Sequence, residues 1–216
     1  MMVLYGNPLS TYCAKVKVVM RHKDIPYQDR EPPDGYGSPA YRKIVPMGTI
    51  PGFVDGDLVL SESEAIAEYL EEQFPDPCML PGDAAQRARI RAASRLHDCW
   101  VEPRLRAMYA QATPARRSPA EVAAGAVEFH RRLEGFAAHL GDTRYIVGNE
   151  LTLADCAWAT TFIQAELLFD ALEIDLKIPV ELSHWRARLA EHPSIQPGIG
   201  PCHDGMLAWL AKVGAH

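Results

Sequence analysis

Leu4-Tyr5-Gly6-Asn7-Pro8-Leu9-Ser10-Thr11-Tyr12-Cys13 is the stretch whose reading decides the fold. A short β-prone run ending at Tyr5 enters a Gly-Asn-Pro turn and leaves it at a hydroxyl that opens a helix. The apolar spacing of Val16, Val19 and Met20 predicts that this helix runs from Ser10 to about His22. A helix N-terminus carries free N–H groups and a partial positive charge, so an anion is favoured beside Ser10. Ser10 also reads simply as an N-cap.

Outward from this junction, residues 26–30 read as a second strand and residues 31–39 as a Pro/Gly loop. A parallel pair of strands needs a crossover helix, which residues 10–22 supply. Gly52 to Val54 and Leu58 to Leu60 form a hairpin about Asp55-Gly56-Asp57. Ile66, Ala67 and Leu70 then mark a helix over residues 63–73. The expected order is βαβ followed by ββα, a small mixed sheet with helices.

Alanine use divides the chain. Residues 1–80 hold 4 alanines and residues 81–216 hold 25, and alanine is the best helix former. Residues 1–75 are therefore expected to form an α/β domain. Residues 76–86, which include Pro77, Pro81 and Gly82, read as a linker, and residues 87–216 as an all-helical bundle. The bundle is expected to hold one long helix from Asp83 to Tyr109 bent at Pro103, another over residues 118–140, a capped start at Thr152 and Asp155, and a helix from Pro179 to Glu191. Beyond Pro193 the pattern gives no clear helix ends.

Composition removes several function classes. The 216 residues carry 22 Lys and Arg against 28 Asp and Glu, a net charge of −6, which argues against a nucleic-acid partner. No apolar run is long enough to span a membrane. No basic stretch followed by an apolar core opens the chain, so a cytoplasmic location without a leader is expected. The five scattered cysteines show no ligand or disulfide spacing, so neither a structural metal nor a disulfide framework is expected.

Three stretches carry chemistry. Thioredoxin-type dithiol oxidoreductases place C-x-x-C at the strand-to-helix junction; here the spacing is S-x-x-C, with Ser10 where the attacking thiol would sit. A hydroxyl there cannot exchange disulfides, but it can donate a hydrogen bond to a thiolate. Gly48-Thr49-Ile50-Pro51-Gly52 places a proline at a strand entrance, where a cis bond would turn the Ile50 backbone outward toward an extended peptide; a trans, edge-breaking proline is the plainer reading. Ser61-Glu62-Ser63-Glu64 opens a helix, and reads either as a capping box or as a site for a ligand's ammonium and carboxylate.

Taken together, these residues resemble the thioredoxin-like domain of the cytosolic glutathione transferases, in the pattern of the bacterial, Ser-type members of the phi, zeta and theta classes. Tyr145-Ile146-Val147-Gly148 followed by Leu151-Thr152-Leu153-Ala154-Asp155 resembles the capping-box helix of the same family, so the likeness spans nearly the whole chain. It implies a glutathione transferase that activates the thiolate for attack on a small electrophile, acting as a homodimer with glutathione as co-substrate and no metal. A glutathione-dependent isomerase, a thiol–disulfide oxidoreductase and a non-catalytic glutathione-binding module remain the alternatives.

The resemblance also implies residue roles. Ser10 would contact the glutathione sulfur, with Thr11 and Cys13 as alternatives. Ile50 and Pro51 would pair with the cysteinyl backbone, Glu62 and Ser63 would hold the γ-glutamyl end, and Lys43 the glycine carboxylate. Asp98 would reach the partner subunit's glutathione amine. Thr49 stands where the family often has Gln or Lys. The electrophile would lie between Leu9, Tyr12 and a helical stripe of Trp100, Arg104 and Met108.

Overall fold

Ser10 terminates one turn and starts the first helix, and the sheet is built around that junction. A computed structural model describes residues 1–141 and 143–215. β1 (Met2–Tyr5) leads through the turn into α1 (Thr11–His22) and back to β2 (Tyr27–Arg30), which pairs parallel with β1. β3 (Gly52–Asp55) pairs antiparallel on the other side of β1, and β4 (Leu58–Leu60) closes the hairpin. The order is β2-β1-β3-β4. Register places Leu4 opposite Phe53, and both are fully buried with Val16 and Val19 of α1 and with Ile66 and Leu70 of α3 (Ser63–Gln73). The segment expected as loop ends in a short helix, α2 (Pro39–Arg42). Ser38 accepts its capping bond, and Pro39 sits in the first turn, where a missing N–H costs nothing.

Gly6 has a steric reason. A Cβ there would stand 2.5 Å from the Cys13 sulfur, so the turn can pack against α1 only with glycine. The Pro-rich segment after α3 is tied back to the end of α1 and to α3 by a buried ion pair. Lys23 Nζ lies 2.6 Å from Glu71 Oε2 and donates to the carbonyls of Phe74 and Pro77. Glu71 in turn accepts from the backbone N–H of Met79 and Leu80.

α4 (Ala84–Leu96) starts inside the segment expected as linker, because Asp83 caps it by accepting from the Gln86 N–H at 2.8 Å. It gives way to a π turn at His97–Val101 and then to α5 (Glu102–Met108). The irregularity therefore falls one turn ahead of Pro103 rather than at it. A regular α-helix would press the proline ring against the carbonyl four residues back, at Cys99, and the wider turn relieves that conflict.

α6 (Pro119–Ala137), α7 (Trp158–Ala171) and α8 (Ser183–Glu191) enclose an aromatic core. In it Trp158 packs against Phe136 at 4.0 Å and against Trp185 at 5.5 Å between ring centroids. The expected cap before α7 is present: Thr152 and Asp155 bond reciprocally, and Asp155 also accepts from the Ile146 N–H and Trp185 Nε1. α9 (Ile199–Val213), which the sequence pattern did not reveal, lies along α7. Among the described residues no helix is long and apolar enough to cross a membrane.

Candidate active site

Two clefts meet where α1 begins. The first, about 300 Å³, is bordered by the Thr49-Ile50-Pro51 segment, by Glu62 and Ser63 at the start of α3, and by Arg95 and Asp98. The second, about 550 Å³, contains Leu9, Ser10, Tyr36, Arg106, Tyr109 and Trp209. Tyr12 and Ile50 line both and form the seam between them.

Ser10 is the N-cap of α1, and its Oγ accepts from the Cys13 N–H at 3.2 Å. Accepting that bond leaves the hydroxyl hydrogen available to donate. The N–H groups of Thr11 and Tyr12, in the first turn, have no intrahelical acceptor. A donor hydroxyl and two backbone donors at the positive end of a helix dipole suit an anion at this point.

The other two candidates for the sulfur contact face elsewhere. Thr11 is fully buried and donates to Glu102 Oε1 at 3.2 Å. Cys13 is fully buried against Gly6, and burial pushes its thiol up to about 11, so at neutral pH it is a protonated thiol out of reach of the cleft. Of Ser10, Thr11 and Cys13, the structure brings only Ser10 to the cleft wall.

The Ile50–Pro51 bond is cis, and Ile50 borders both clefts. Tyr41 fixes this segment by donating to the Thr49 carbonyl at 3.0 Å. Glu62 precedes α3 without making a side-chain cap bond, and Ser63 lies buried in the cleft wall beside it. Neither hydroxyl nor carboxylate here forms the capping box that the sequence allowed.

Asp98 borders the first cleft, but its carboxylate is already engaged. Oδ2 lies 2.6 Å from Lys15 Nζ and 3.4 Å from Arg95, and Oδ1 lies 2.9 Å from His97 Nδ1. Burial alone would raise its pKa; the His97 hydrogen bond and the Lys15 charge outweigh that and hold the carboxyl at about 2. Its side-chain partners lie on α1, at the end of α4 and in the π turn. Lys15, itself buried, also reaches Glu64 and Ser94, so one ammonium joins α1, α3 and α4 beneath the first cleft.

Four expected positions fall outside both clefts. Lys43 is exposed at the end of α2 and borders neither. Trp100 is exposed and lies under the guanidinium of Arg132. Arg104 faces Glu128 of α6 at 3.9 Å. Met108 is core, packed so closely on α6 that a Cβ at Gly125 would stand 2.9 Å from its Cγ.

The stripe that faces α1 is Asp98, Glu102 and Arg106, two residues out of phase with the one the aromatic pattern suggested. Glu102 is buried and accepts from Thr11, from Tyr12 at 2.8 Å, and from Arg106 Nε and Nη2. Its i, i+4 spacing to Asp98 and Arg106 was readable in the sequence, but those three compete with any other stripe of that period. Burial and the neighbouring Glu102 carboxylate raise the pKa of the Tyr12 phenol, so Tyr12 is a neutral donor. Tyr36 and Trp209 come from a loop and from α9, and neither had a local signal. Among the described residues no group of His, Cys, Asp and Glu could hold a metal ion.

Comparisons with known proteins agree with this geometry. Residues 4–78 match the family model for the N-terminal domain of glutathione S-transferase, and residues 119–192 match that for its C-terminal domain. A probable maleylacetoacetate isomerase 2 of Drosophila melanogaster is 30% identical over 209 residues, covering 92% of this chain and 91% of its own. A stringent starvation protein A homolog of Pasteurella multocida is 29% identical over 156 residues, covering 72% of this chain and 70% of its own. Among solved structures, the theta class glutathione S-transferase of Xanthomonas axonopodis pv. citri with glutathione bound superimposes with a TM-score of 0.77 at 25% identity, over 92% of this chain and 96% of that one. A sheet of this order with its helical partner, a cleft at the start of α1 and both matched domains place the chain in one family: it belongs to the glutathione S-transferases.

Proposed function

We propose that this glutathione S-transferase holds glutathione in the first cleft with its sulfur at Ser10, and that the Ser10 hydroxyl donates to the thiolate. Glu62 and Ser63 receive the γ-glutamyl group, and Ile50, ahead of Pro51, pairs with the cysteinyl backbone. The sulfur then points into the second cleft, where an electrophile is attacked. The observation that carries this reading is that Ser10 alone of the three candidates lines a cleft, the second, beside its seam with the first, with the first-turn N–H groups of α1 next to it.

The magnitudes are adequate. A free thiol has a pKa of about 8.5, so only a few per cent is thiolate at neutral pH. Lowering that by about two units takes ~2.7 kcal/mol of preference for the anion. A charge-assisted hydrogen bond and a helix N-terminus together supply that much. A cytoplasmic homodimer that disposes of reactive electrophiles is the setting this chemistry suits.

One relative supports a second reaction on the same site. The maleylacetoacetate isomerase likeness covers nearly the full chain, and a reversible thiolate adduct at Ser10 serves cis–trans isomerisation equally well. Thiol–disulfide exchange is disfavoured because Cys13 is buried and protonated.

The test is Ser10→Ala. Glutathione affinity by calorimetry should stay within about threefold, while kcat falls by one to three orders of magnitude. Unchanged turnover would refute the assignment.

A further inference from the structure

The second cleft has an electrical asymmetry that the transferase reading does not use. Arg106 and Glu102 form an ion pair 2.6 Å long, yet the two partners differ in exposure: the Arg106 side chain is 41% exposed and that of Glu102 is 2%. The carboxylate is further satisfied from behind by Thr11 and Tyr12. Among the described residues no Asp or Glu lines the cleft, and Arg106 is the cation that does. The pair thus presents its positive end to the cavity and keeps its negative end in the protein.

The guanidinium has donors left for a ligand. Glu102 takes one N–H each of Nε and Nη2, fewer than the five donors a guanidinium carries. The group lies over the Tyr109 ring at 4.5 Å, which fixes its plane. Tyr109 is itself in contact with Trp209 at 4.8 Å between ring centroids, and Tyr36 and Leu9 complete the walls. The cavity therefore offers flat apolar surface for a ring-sized or conjugated body and a planar cation at one side. A planar fork of this kind matches a carboxylate better than a point charge does.

We infer that the electrophile taken by the second cleft carries a carboxylate, bound by Arg106, on a flat unsaturated or aromatic body lying against Tyr109 and Trp209. The inference rests on the transferase reading for one part only, that the ligand of this cleft is the electrophile. Arg106 is then the residue that sets substrate preference.

The test uses a matched pair of probes, 3-nitrobenzoate and 3-nitrobenzamide, binding to the full chain with and without glutathione. The benzoate should bind at least about tenfold more tightly than the amide. Arg106→Gln should bring that ratio to between one and two. The double variant Glu102→Gln with Arg106→Gln, which leaves no buried charge unpaired, should do the same, and Arg106→Lys should retain part of the preference. A wild-type ratio near one, or a ratio that survives in either folded glutamine variant, overturns the inference.

Turnover gives a parallel reading with 4-chloro-3-nitrobenzoate and 4-chloro-3-nitrobenzamide. The glutathione sulfur bonds to the ring carbon bearing chlorine, chloride leaves with the bonding electron pair, and the thiol proton passes to solvent. The ratio of kcat/KM values, each divided by its uncatalysed rate constant, should fall in Arg106→Gln mainly through KM for the benzoate. The two readings of the protein separate cleanly. A chain that prefers nitrobenzoate but binds no glutathione contradicts the transferase reading and leaves this one standing. A chain that binds glutathione and takes the amide equally well contradicts this one alone.

Discussion

The two clefts share Tyr12 and Ile50 but are made in different ways. The first is built from the ends of elements: the segment before β3, the starts of α1 and α3, and the end of α4 with the π turn after it. Its chemistry resides in main-chain donors and in polar side chains at those ends, underpinned by the buried Lys15 network. The second shares the α1 turn and Ile50 with the first, and the rest of its wall is the tips of long side chains that arrive from a loop, the stretch around α5, and α9. A surface of element ends is held wherever the sheet is held. A surface of side-chain tips depends on the phase of one helix and the docking of another. The first cleft suits one constant ligand and the second a ligand that differs from one relative to the next.

The sharpest way to break this contrast is to remove what underlies the first cleft. Lys15→Met removes the buried cation that Asp98 and Glu64 share, and should cost about 3–5 kcal/mol in denaturant unfolding. A loss below 1 kcal/mol would mean that the network does not hold α1, α3 and α4 together.

Next in size is its response to acid. The Asp98 carboxyl is held at about 2, below the ordinary aspartate value of 3.8. The folded chain therefore binds this proton less readily than the unfolded chain does. The stabilisation, ~2 kcal/mol, is fully present above about pH 4 and is lost as pH falls toward 2. Asp98→Asn should flatten that part of the stability profile relative to the parent protein, and an unchanged slope would contradict the assignment.

The smallest expected effect concerns ligand alone. Ser63→Ala should weaken glutathione binding by about tenfold in calorimetry. It should leave the preference of the second cleft between nitrobenzoate and nitrobenzamide where it was. A change in that preference would show that the two clefts are not separate in function.

The same division explains what was readable in the sequence. Ser10, Pro51, Glu62 and Ser63 are positioned by local events, a cap, a strand entrance and a helix start, each of which leaves a short signature. The hairpin at Asp55-Gly56-Asp57 and the Thr152–Asp155 box are of the same kind. Trp100, Arg104 and Met108 were read from periodicity, which gives a stripe but not the direction it faces. The π turn at His97–Val101 and the packing of Glu102 against Tyr12 settle that direction, and both depend on tertiary contacts. α9 was hidden by Pro197, Gly198, Gly200, Pro201 and Gly205 near its start. Pro201 is tolerated because it falls in the first turn, and a Cβ at Gly205 would stand 3.5 Å from the Leu9 side chain. Without α9, Trp209 had no place. Lys43 was chosen by closeness in sequence to Pro51, and α2, unforeseen, ends at it and leaves it exposed, outside both clefts.

The central claim is that the Ser10 hydroxyl stabilises a thiolate that belongs to the ligand. Ultraviolet difference titration of the protein saturated with glutathione measures that directly, because thiolate and thiol absorb differently. The bound thiol should titrate about two units below the free value of about 8.5. In Ser10→Ala most of that depression should disappear while glutathione remains bound. An equally depressed thiol in the variant would contradict the account and move the activating group away from Ser10.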